Sequence, residues 1–348
     1  MPIKRLLNIK PKKKKVAIFG IGNFGFAILK HLDKYKSKDY EIHAYDIDHK
    51  LLENLKKHRT HTHLHKNIKI SKNITFSENL ENTLKNCDIL ILAIASKFTK
   101  EVILNIKDKI KRRTIILNTS KALDFDSGKR ISQIVAESLK PKRNTYAIMA
   151  GGTIAKDLFK HEPLGIDIAS KSPRALKKLK ELMQSPTLKV FTTKDLKGVE
   201  YVSAFKNIIA IFSGIIQGSG FSYGSETYFI SRFSLEIKQL VTRELKGRSS
   251  SFKMETQSWG NDLWMSCTGN TRNKEFGVLI GKKNSVAQAI NIFKKEKKLA
   301  EGINSIKCLN KITTKLSKYP LLNATYRIVE EKEPIKKVMK DILNNNNK

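Results

Sequence analysis

Lys206 and Asn207 stand side by side in AFKNIIA, at the mouth of an apolar run that continues to Ile216. A lysine in that position has two available roles. It snorkels from a helix end as a solvated cation, or it serves a reaction as a proton donor when charged and a proton acceptor when neutral. A second concentration of polar side chains lies in WGNDLWMSCTGNTRNKEFG, residues 259–277, where Asp262, Ser266, Thr268, Thr271, Arg272 and Asn273 fall among apolar residues and glycines. Arg272 can grip an anion with both arms of its guanidinium while Thr271 and Asn273 donate beside it, which suits a phosphorylated or otherwise anionic substrate. The same stretch also fits a polar loop between two helices. Two further segments offer groups at the ends of apolar runs: TSKALD presents the cation of Lys121, and AGGTIA presents backbone at Gly151 and Gly152 and the hydroxyl of Thr153.

The elements that must carry these groups begin with VAIF, residues 16–19, followed at once by GIGNFG and the helical pattern FAILKHLDKY. Strand, glycine turn and helix form the context that a dinucleotide fingerprint requires. Gly20 permits the tight turn, Gly22 lets backbone approach a pyrophosphate, and Gly25 lets the helix pack close to the strand, while N–H groups at the helix start face the phosphates. A glycine-rich turn between packed elements is the alternative. A second strand in EIHAYDID reaches Asp46, whose carboxylate can accept hydrogen bonds from an adenine-ribose diol and repel a 2′-phosphate, favouring NAD over NADP. Lys50 nearby would offset that repulsion, and an aspartate after a strand is also an ordinary turn residue.

Further strands are expected at 88–96, 114–120, 145–151, 165–170 and 188–193, near-continuous apolar runs separated by amphipathic helical stretches such as SGKRISQIVAESL. This alternation predicts a mostly parallel, doubly wound α/β sheet, which binds ligands at the carboxyl ends of its strands. From about Lys197 the pattern turns to long helical segments, GVEYVSAFKNIIAIFSGIIQG, ETYFISRFSLEIKQLVTREL and SVAQAINIFKKEKK. A dinucleotide-binding domain over 1–195 and a helical catalytic and substrate domain over 196–343 are therefore expected.

With 348 residues, 40% of them apolar, the chain can bury two cores of ordinary size. Its formal charge of +35 comes from 55 lysines against only 12 arginines, spread along the whole sequence. Arginine is the residue that forks onto phosphates and bases. Lysine in company with much isoleucine and asparagine fits an A/T-rich genome and a solvated surface, with weak attraction to anionic substrates or membranes as a second use. No nucleic-acid partner is expected. Cys87, Cys267 and Cys308 show no paired spacing, so neither a disulfide nor a metal site is expected, and the chain fits a reducing, cytoplasmic compartment. The longest apolar stretch, 208–216, falls short of the roughly 20 residues that cross a bilayer, and no transmembrane segment is expected. The opening MPIKRLLNIKPKKKK lacks the apolar core and cleavage site of a secretory signal and is read as a basic arm over 1–15; the closing NNNNK is read as a frayed tail over 344–348.

Taken in order, these segments resemble the NAD(P)-dependent glycerol-3-phosphate dehydrogenase family over essentially the whole ordered length. The marks are FGIGNFG after the first strand, TSK with Lys121, GGTIA where the family has a Gly-Pro-Ser-Phe-Ala type turn, GVEYVSAFKNIIAIFSGI, NDL with Asp262, TRNKEFG, and AEG with Glu301. The resemblance implies a Rossmann-like sheet domain followed by an all-helical domain, and NAD or NADP as cofactor. It implies reversible hydride transfer between NAD(P)H and dihydroxyacetone phosphate, giving sn-glycerol 3-phosphate for glycerophospholipid synthesis. Lys206 matches the family's catalytic lysine, with Lys121 as a second catalytic lysine, and Asn207 matches the companion of Lys206. Lys121, Asp262, Thr271, Arg272 and Asn273 match positions that hold the substrate, with Gly151 and Thr153 helping to order it. Lys121 and Arg272 also fall where the cofactor passes. Asn23 and Phe24 match the cofactor loop, Ala155 the backbone at the nicotinamide end, and Leu299 and Glu301 a late segment that closes over the dinucleotide.

The chain also departs from the family pattern. QGSGFSYGSETYFISRF places Gln217 at an acidic position and Ser225, Glu226 and Thr227 in an Asn-Ala stretch; SWGN replaces a Gly-Leu-Gly turn, and Ser266 stands at a threonine position. These departures leave open a related two-domain dehydrogenase acting on another small hydroxy acid or phosphorylated alcohol, or a catalytically weak nucleotide-binding regulator. A homodimer is also left open.

Overall fold

The computed structural model describes residues 13–140, 144–282, 285–296 and 298–345. Most of the expected basic arm and the end of the expected tail lie outside these residues. The last helix, Ile335–Asn345, takes in the first two residues assigned to that tail.

Eight strands form one sheet: β1 Lys14–Phe19, β2 Tyr40–Tyr45, β3 Ile74–Phe76, β4 Ile89–Leu92, β5 Ile115–Asn118, β6 Thr145–Ala150, β7 Leu164–Ser170 and β8 Leu188–Thr193. Their spatial order is β3-β2-β1-β4-β5-β6-β7-β8, parallel throughout except where β7 runs against β6. The chain thus leaves β1 on one side toward β2 and β3, then returns to β1's other edge as β4, with Ile18 opposite both Ala44 and Ile91. Such a reversal opens a crevice at the carboxyl ends of the two central strands. Alternate residues feed opposite faces: Val16 and Ile18 enter one apolar cluster, Ala17 and Phe19 another. Burial on both faces is why the inner strands β1, β4 and β5 read as unbroken apolar runs, whereas β2 and β8 alternate with exposed residues. The strand missed in the sequence is β3, three residues whose middle member, Thr75, is exposed.

Beyond β8 every described element is helical. The helices that concern the site are α1 Asn23–Lys36 and α2 Ala155–Lys160 in the sheet region, then α3 Leu196–Gly218, α4 Tyr223–Gln239, α5 Asp262–Thr268, α6 Arg272–Gly281 and α7 Glu301–Lys307. Helix α3 is capped by Asp195, which accepts the N–H of Gly198 at 3.1 Å and the hydroxyl of Ser251 at 2.7 Å. A buried carboxylate on its first turns, Glu200, bonds Arg130 at 2.9 Å and the hydroxyl of Ser132 at 2.6 Å, fastening α3 to the segment after β5. Burial raises the Glu200 carboxyl above its ordinary range, and Arg130 and Ser132 oppose the rise. Helix α3 is long and apolar enough to cross a membrane by length and composition, yet its whole apolar window is enclosed by the other helices. It is the axis of the C-terminal core, which explains why it is apolar on all sides.

Helices α3 and α6 touch backbone to backbone. A Cβ on Gly277 would lie 2.0 Å from the Ile211 carbonyl oxygen, and one on Gly214 would lie 2.1 Å from the Lys274 carbonyl oxygen. This contact fixes where Lys206 on α3 stands relative to Arg272 on α6. Gly277→Ala is expected to force the pair apart and lower the unfolding free energy by roughly 1–3 kcal/mol, the range for overpacking. Gly224→Ala, in α4, meets only the Ser222 hydroxyl at 3.9 Å and should leave stability unchanged or slightly raised. Urea unfolding of both variants checks the contrast; equal midpoints would mean that the helix pair has slack.

Candidate active site

The cleft at the carboxyl ends of β1, β4 and β5 has a volume of about 510 Å³ and is walled by the sheet on one side and by α3, α5, α6 and α7 on the other. Its floor is formed by Lys206 and Lys121, which share the buried Asp262 behind them. That carboxylate has no solvent exposure, and each of its oxygens holds one ammonium group: Oδ1 accepts from Lys206 Nζ at 2.8 Å and Oδ2 from Lys121 Nζ at 2.9 Å. Lys206 also donates to the Ser266 hydroxyl at 2.8 Å, and Lys121 donates to the Gly151 carbonyl oxygen. The three residues come from α3, the loop after β5 and α5, so no short stretch of sequence contains the arrangement.

Burial pulls the Lys206 ammonium below its ordinary value, the neighbouring Lys121 cation adds to that, and Asp262 and Glu301 oppose it. Even with Asp262 in contact, burial prevails. Lys206 therefore sits closer to a state in which it can both give and take a proton than a solvated lysine does.

Next to this floor, Asn207 Oδ1 accepts from Asn273 Nδ2 at 2.9 Å, and Asn273 Oδ1 accepts from the Gly302 N–H at 3.0 Å. The chain of amides links α3, α6 and α7. Thr271, placed before α6, turns its hydroxyl to the Ser266 carbonyl oxygen at 2.7 Å instead of capping the helix. The start of α6 thus carries no side-chain cap, and Arg272, its first residue, is exposed at the cleft with no acidic partner among the described residues. An uncapped helix start and a free guanidinium together form a place for an anion.

At the other end, Gly20 has φ +89°, a conformation that favours glycine, and turns the chain from β1 into α1. Gly25 packs beneath, where a Cβ would strike the Gly20 carbonyl oxygen at 2.0 Å. Gly22 is the N-cap of α1, makes no side-chain capping bond, and has open space where a Cβ would stand. Open space above uncapped N–H groups fits a pyrophosphate. Asn23 and Phe24 line the cleft above this turn, Thr153 and Ala155 line it from the loop after β6, and Leu299 and Glu301 line it from the segment entering α7.

The structure thus brings together Lys121, Thr153, Ala155, Lys206, Asn207, Thr271, Arg272, Asn273, Asn23, Phe24, Leu299 and Glu301 around one space. Asp262 and Gly151 lie directly behind it through their bonds to the lysines. Asp46 is placed differently. Its Oδ2 accepts the Ile21 N–H at 2.6 Å and its Oδ1 the Asp48 N–H at 3.0 Å, so the carboxylate already braces the glycine turn, and a ribose would share it. Ala93, Ile94 and Ala95 after β4, and Thr119 and Ser120 after β5, also line the cleft and were not singled out in the sequence. The available signal was their position at the ends of two central apolar strands. A second depression of about 530 Å³, lined by Lys13, Lys14, Lys15 and Lys85, lies by the amino ends of β1 and β4, the side on which such sheets do not take their ligands.

Comparison with known proteins agrees with this geometry. The family model for the NAD-dependent glycerol-3-phosphate dehydrogenase N-terminus matches residues 15–176, and that for the C-terminus matches 195–340. A Fusobacterium nucleatum glycerol-3-phosphate dehydrogenase [NAD(P)+] is 30% identical over 84% of this chain and 85% of its own length. One from Clostridium botulinum is 28% identical over 94% of this chain and 97% of its own. Among solved structures, glycerol-3-phosphate dehydrogenases of Plasmodium falciparum and Coxiella burnetii share the fold, with TM-scores of 0.87 and 0.82 at 20% and 22% identity; they cover 96% and 95% of this chain and 96% and 99% of their own. The chain belongs to the NAD-dependent glycerol-3-phosphate dehydrogenase family, oxidoreductases that act on a CH–OH group with NAD or NADP.

Proposed function

We propose that this protein interconverts dihydroxyacetone phosphate and sn-glycerol 3-phosphate, feeding glycerophospholipid synthesis, with residues up to 195 holding the dinucleotide and 196–343 supplying the acid–base group and the substrate site. The observation that carries the proposal is the buried Asp262 shared between Lys206 and Lys121, beside a free Arg272.

Gly20, Gly22, Asn23, Phe24 and Gly25 would hold the pyrophosphate end of the dinucleotide, with Asp46 bracing the turn and favouring NAD, and Ala155, Leu299 and Glu301 flanking the nicotinamide end. The bound dinucleotide supplies the hydride for reduction and accepts it in oxidation. Arg272, with Asn273 and Thr271 beside it, takes the substrate phosphate. Lys206 stands at the C2 carbonyl, stabilises the negative charge that grows on its oxygen, and passes it a proton from Nζ; in oxidation its neutral amine takes the alcohol proton. Lys121 holds the Gly151 carbonyl and Asp262 in place, and its charge adds to the attraction for the substrate. Asp262 orients Lys206 and keeps it protonated against burial.

Lys206→Ala is expected to lower kcat by roughly a hundredfold or more, the scale of a lost acid and electrostatic stabiliser, while NADH binding changes little. Steady-state assays with NADH and dihydroxyacetone phosphate check this, and near-normal turnover would remove Lys206 from the chemistry.

The pH dependence follows from the lysine's protonation state. Reduction needs the ammonium form, so its kcat/KM should fall as pH rises through the lowered Lys206 value, and oxidation should rise over the same range. Asp262→Asn removes the charge that retains the proton and should move the alkaline limb of the reduction profile to lower pH. A limb that stays where it is would show that Asp262 does not tune Lys206.

Arg272→Lys keeps the charge and loses the fork. It should cut kcat/KM for dihydroxyacetone phosphate by at least about tenfold, about 1.5–3 kcal/mol being at stake in hydrogen bonds to a charged group. Activity on unphosphorylated dihydroxyacetone should barely move. Equal losses on both substrates, or a parallel loss of NADH affinity, would assign Arg272 to the dinucleotide or the fold.

A further inference from the structure

The end of the helix His49–His58 and the loop that follows it toward β3 carry His58, His61, His63 and His65 within eight positions, HRTHTHLH. Two of these rings reach back to the glycine turn between β1 and α1. His61 is buried at 5% exposure, with its ring edge-on to Phe26 of α1 at 5.3 Å. Its Nε2 lies 3.0 Å from the Ile21 carbonyl oxygen. Its Nδ1 faces the backbone N–H groups of His63 and Leu64, each at 3.2 Å. Two donors at Nδ1 leave that atom only the acceptor role, so the ring's one proton sits on Nε2 and is donated to Ile21. Asp46 takes the N–H of the same Ile21, which is thus held at both of its backbone polar groups. His65 makes the second contact: its Nε2 lies 2.9 Å from Asn23 Oδ1, and Asn23 lines the cleft.

We propose that His61 is a positioning residue for the dinucleotide turn, one that works only as the neutral imidazole, so that its protonation releases the turn and weakens dinucleotide binding in acid. The proposal rests on the dinucleotide reading given above. A proton on Nδ1 would point at two N–H donors and break both bonds, and the ring could not stay in place to serve Ile21. The titratable groups facing His61 are Asp46 from the end of β2, which favours the cation, and His63 and His65 from its own loop, which disfavour it; α1 presents the apolar Phe26. Burial, the largest influence, holds the imidazole below its ordinary value. The fold therefore favours the neutral ring. The braced turn is fully present above about pH 6.5, the ordinary imidazole value, and weakens as pH falls through the lowered one.

The test is NAD+ affinity of the full chain by calorimetry from pH 8 to pH 5, for the wild type and for His61→Asn, whose carbonyl can still accept from the loop but cannot titrate. The wild type is expected to lose at least about fivefold in affinity across that range, and His61→Asn less than twofold. Equal losses in the two proteins would overturn the proposal. A measurement on the wild type alone covers a variant that fails to fold: by reciprocity, saturation with NAD+ must lower the His61 pKa followed by NMR, and an unmoved value would overturn the proposal as well. Absence of binding of both NAD+ and NADP+ at pH 8 would overturn the dinucleotide reading and this inference with it, whereas binding with a profile shared by His61→Asn overturns the inference alone.

Discussion

Everything at the reactive end depends on one carboxylate that water does not reach. Asp262 would be costly to bury by itself, and Lys206 buried by itself would lose its proton. Placed between two ammonium groups, the carboxylate is paired at both oxygens, and the two cations that repel each other are held on opposite sides of it. Such an arrangement is a poor investment for stability alone, since well-packed apolar residues would often serve as well. Its value lies in the surplus: Lys206, Lys121 and the further cation of Arg272 stand against Asp262 and Glu301 and leave a net positive charge at the cleft. An anionic substrate complements that surplus, and a neutral one does not.

Holding this geometry is the task of the helical half. The glycine contact between α3 and α6 brings Lys206 and Arg272 to a set separation, and the amide chain Asn207–Asn273–Gly302 extends the register to α7. The segment that departs from the family pattern takes part from behind. Glu226 of α4 is buried and accepts from the Ser213 hydroxyl at 2.5 Å and from Lys274 at 2.8 Å, while Lys274 also donates to the Cys267 carbonyl oxygen at 2.6 Å. A strut from α4 to α6 and the end of α5 thus stands where the sequence raised doubts about substrate and rate. No residue of 217–232 lines the cleft. The departure at 217–232 therefore bears on how firmly α6 is held from behind, whereas Ser266 and Thr153, which belong to departing segments as well, line the cleft itself.

The middle of the sheet was legible in the sequence because β1, β4 and β5 are buried on both faces and carry no polar alternation, as VAIF and DILILA show. β3 escaped because three residues with an exposed threonine at the centre give no run to detect. The antiparallel placement of β7 against β6 is a matter of tertiary packing, with no mark in GIDIAS itself. At the site, the glycine turn announced itself through a local demand on backbone shape. The Lys121–Asp262–Lys206 bridge did not, since its members are 141 and 56 residues apart and a sequence shows residue types without their distances. Asp46 adds a contact that its position after β2 did not reveal: its carboxylate holds the Ile21 amide.

The two ends of the cleft are consequently held by different physics. The reactive end is fixed by close-packed helices and buried ion pairs, which change only in discrete steps. The dinucleotide end is fixed by single hydrogen bonds from Asp46, His61 and His65 to one turn, contributed by surface loops. Each such bond contributes little by itself, about 0.5–1.5 kcal/mol, so the turn is the part of the site most open to change in its surroundings. Titration, substitution or an altered loop should therefore act first on this turn and the dinucleotide proposed to rest there, and only through larger rearrangement on the proton transfer proposed at Lys206.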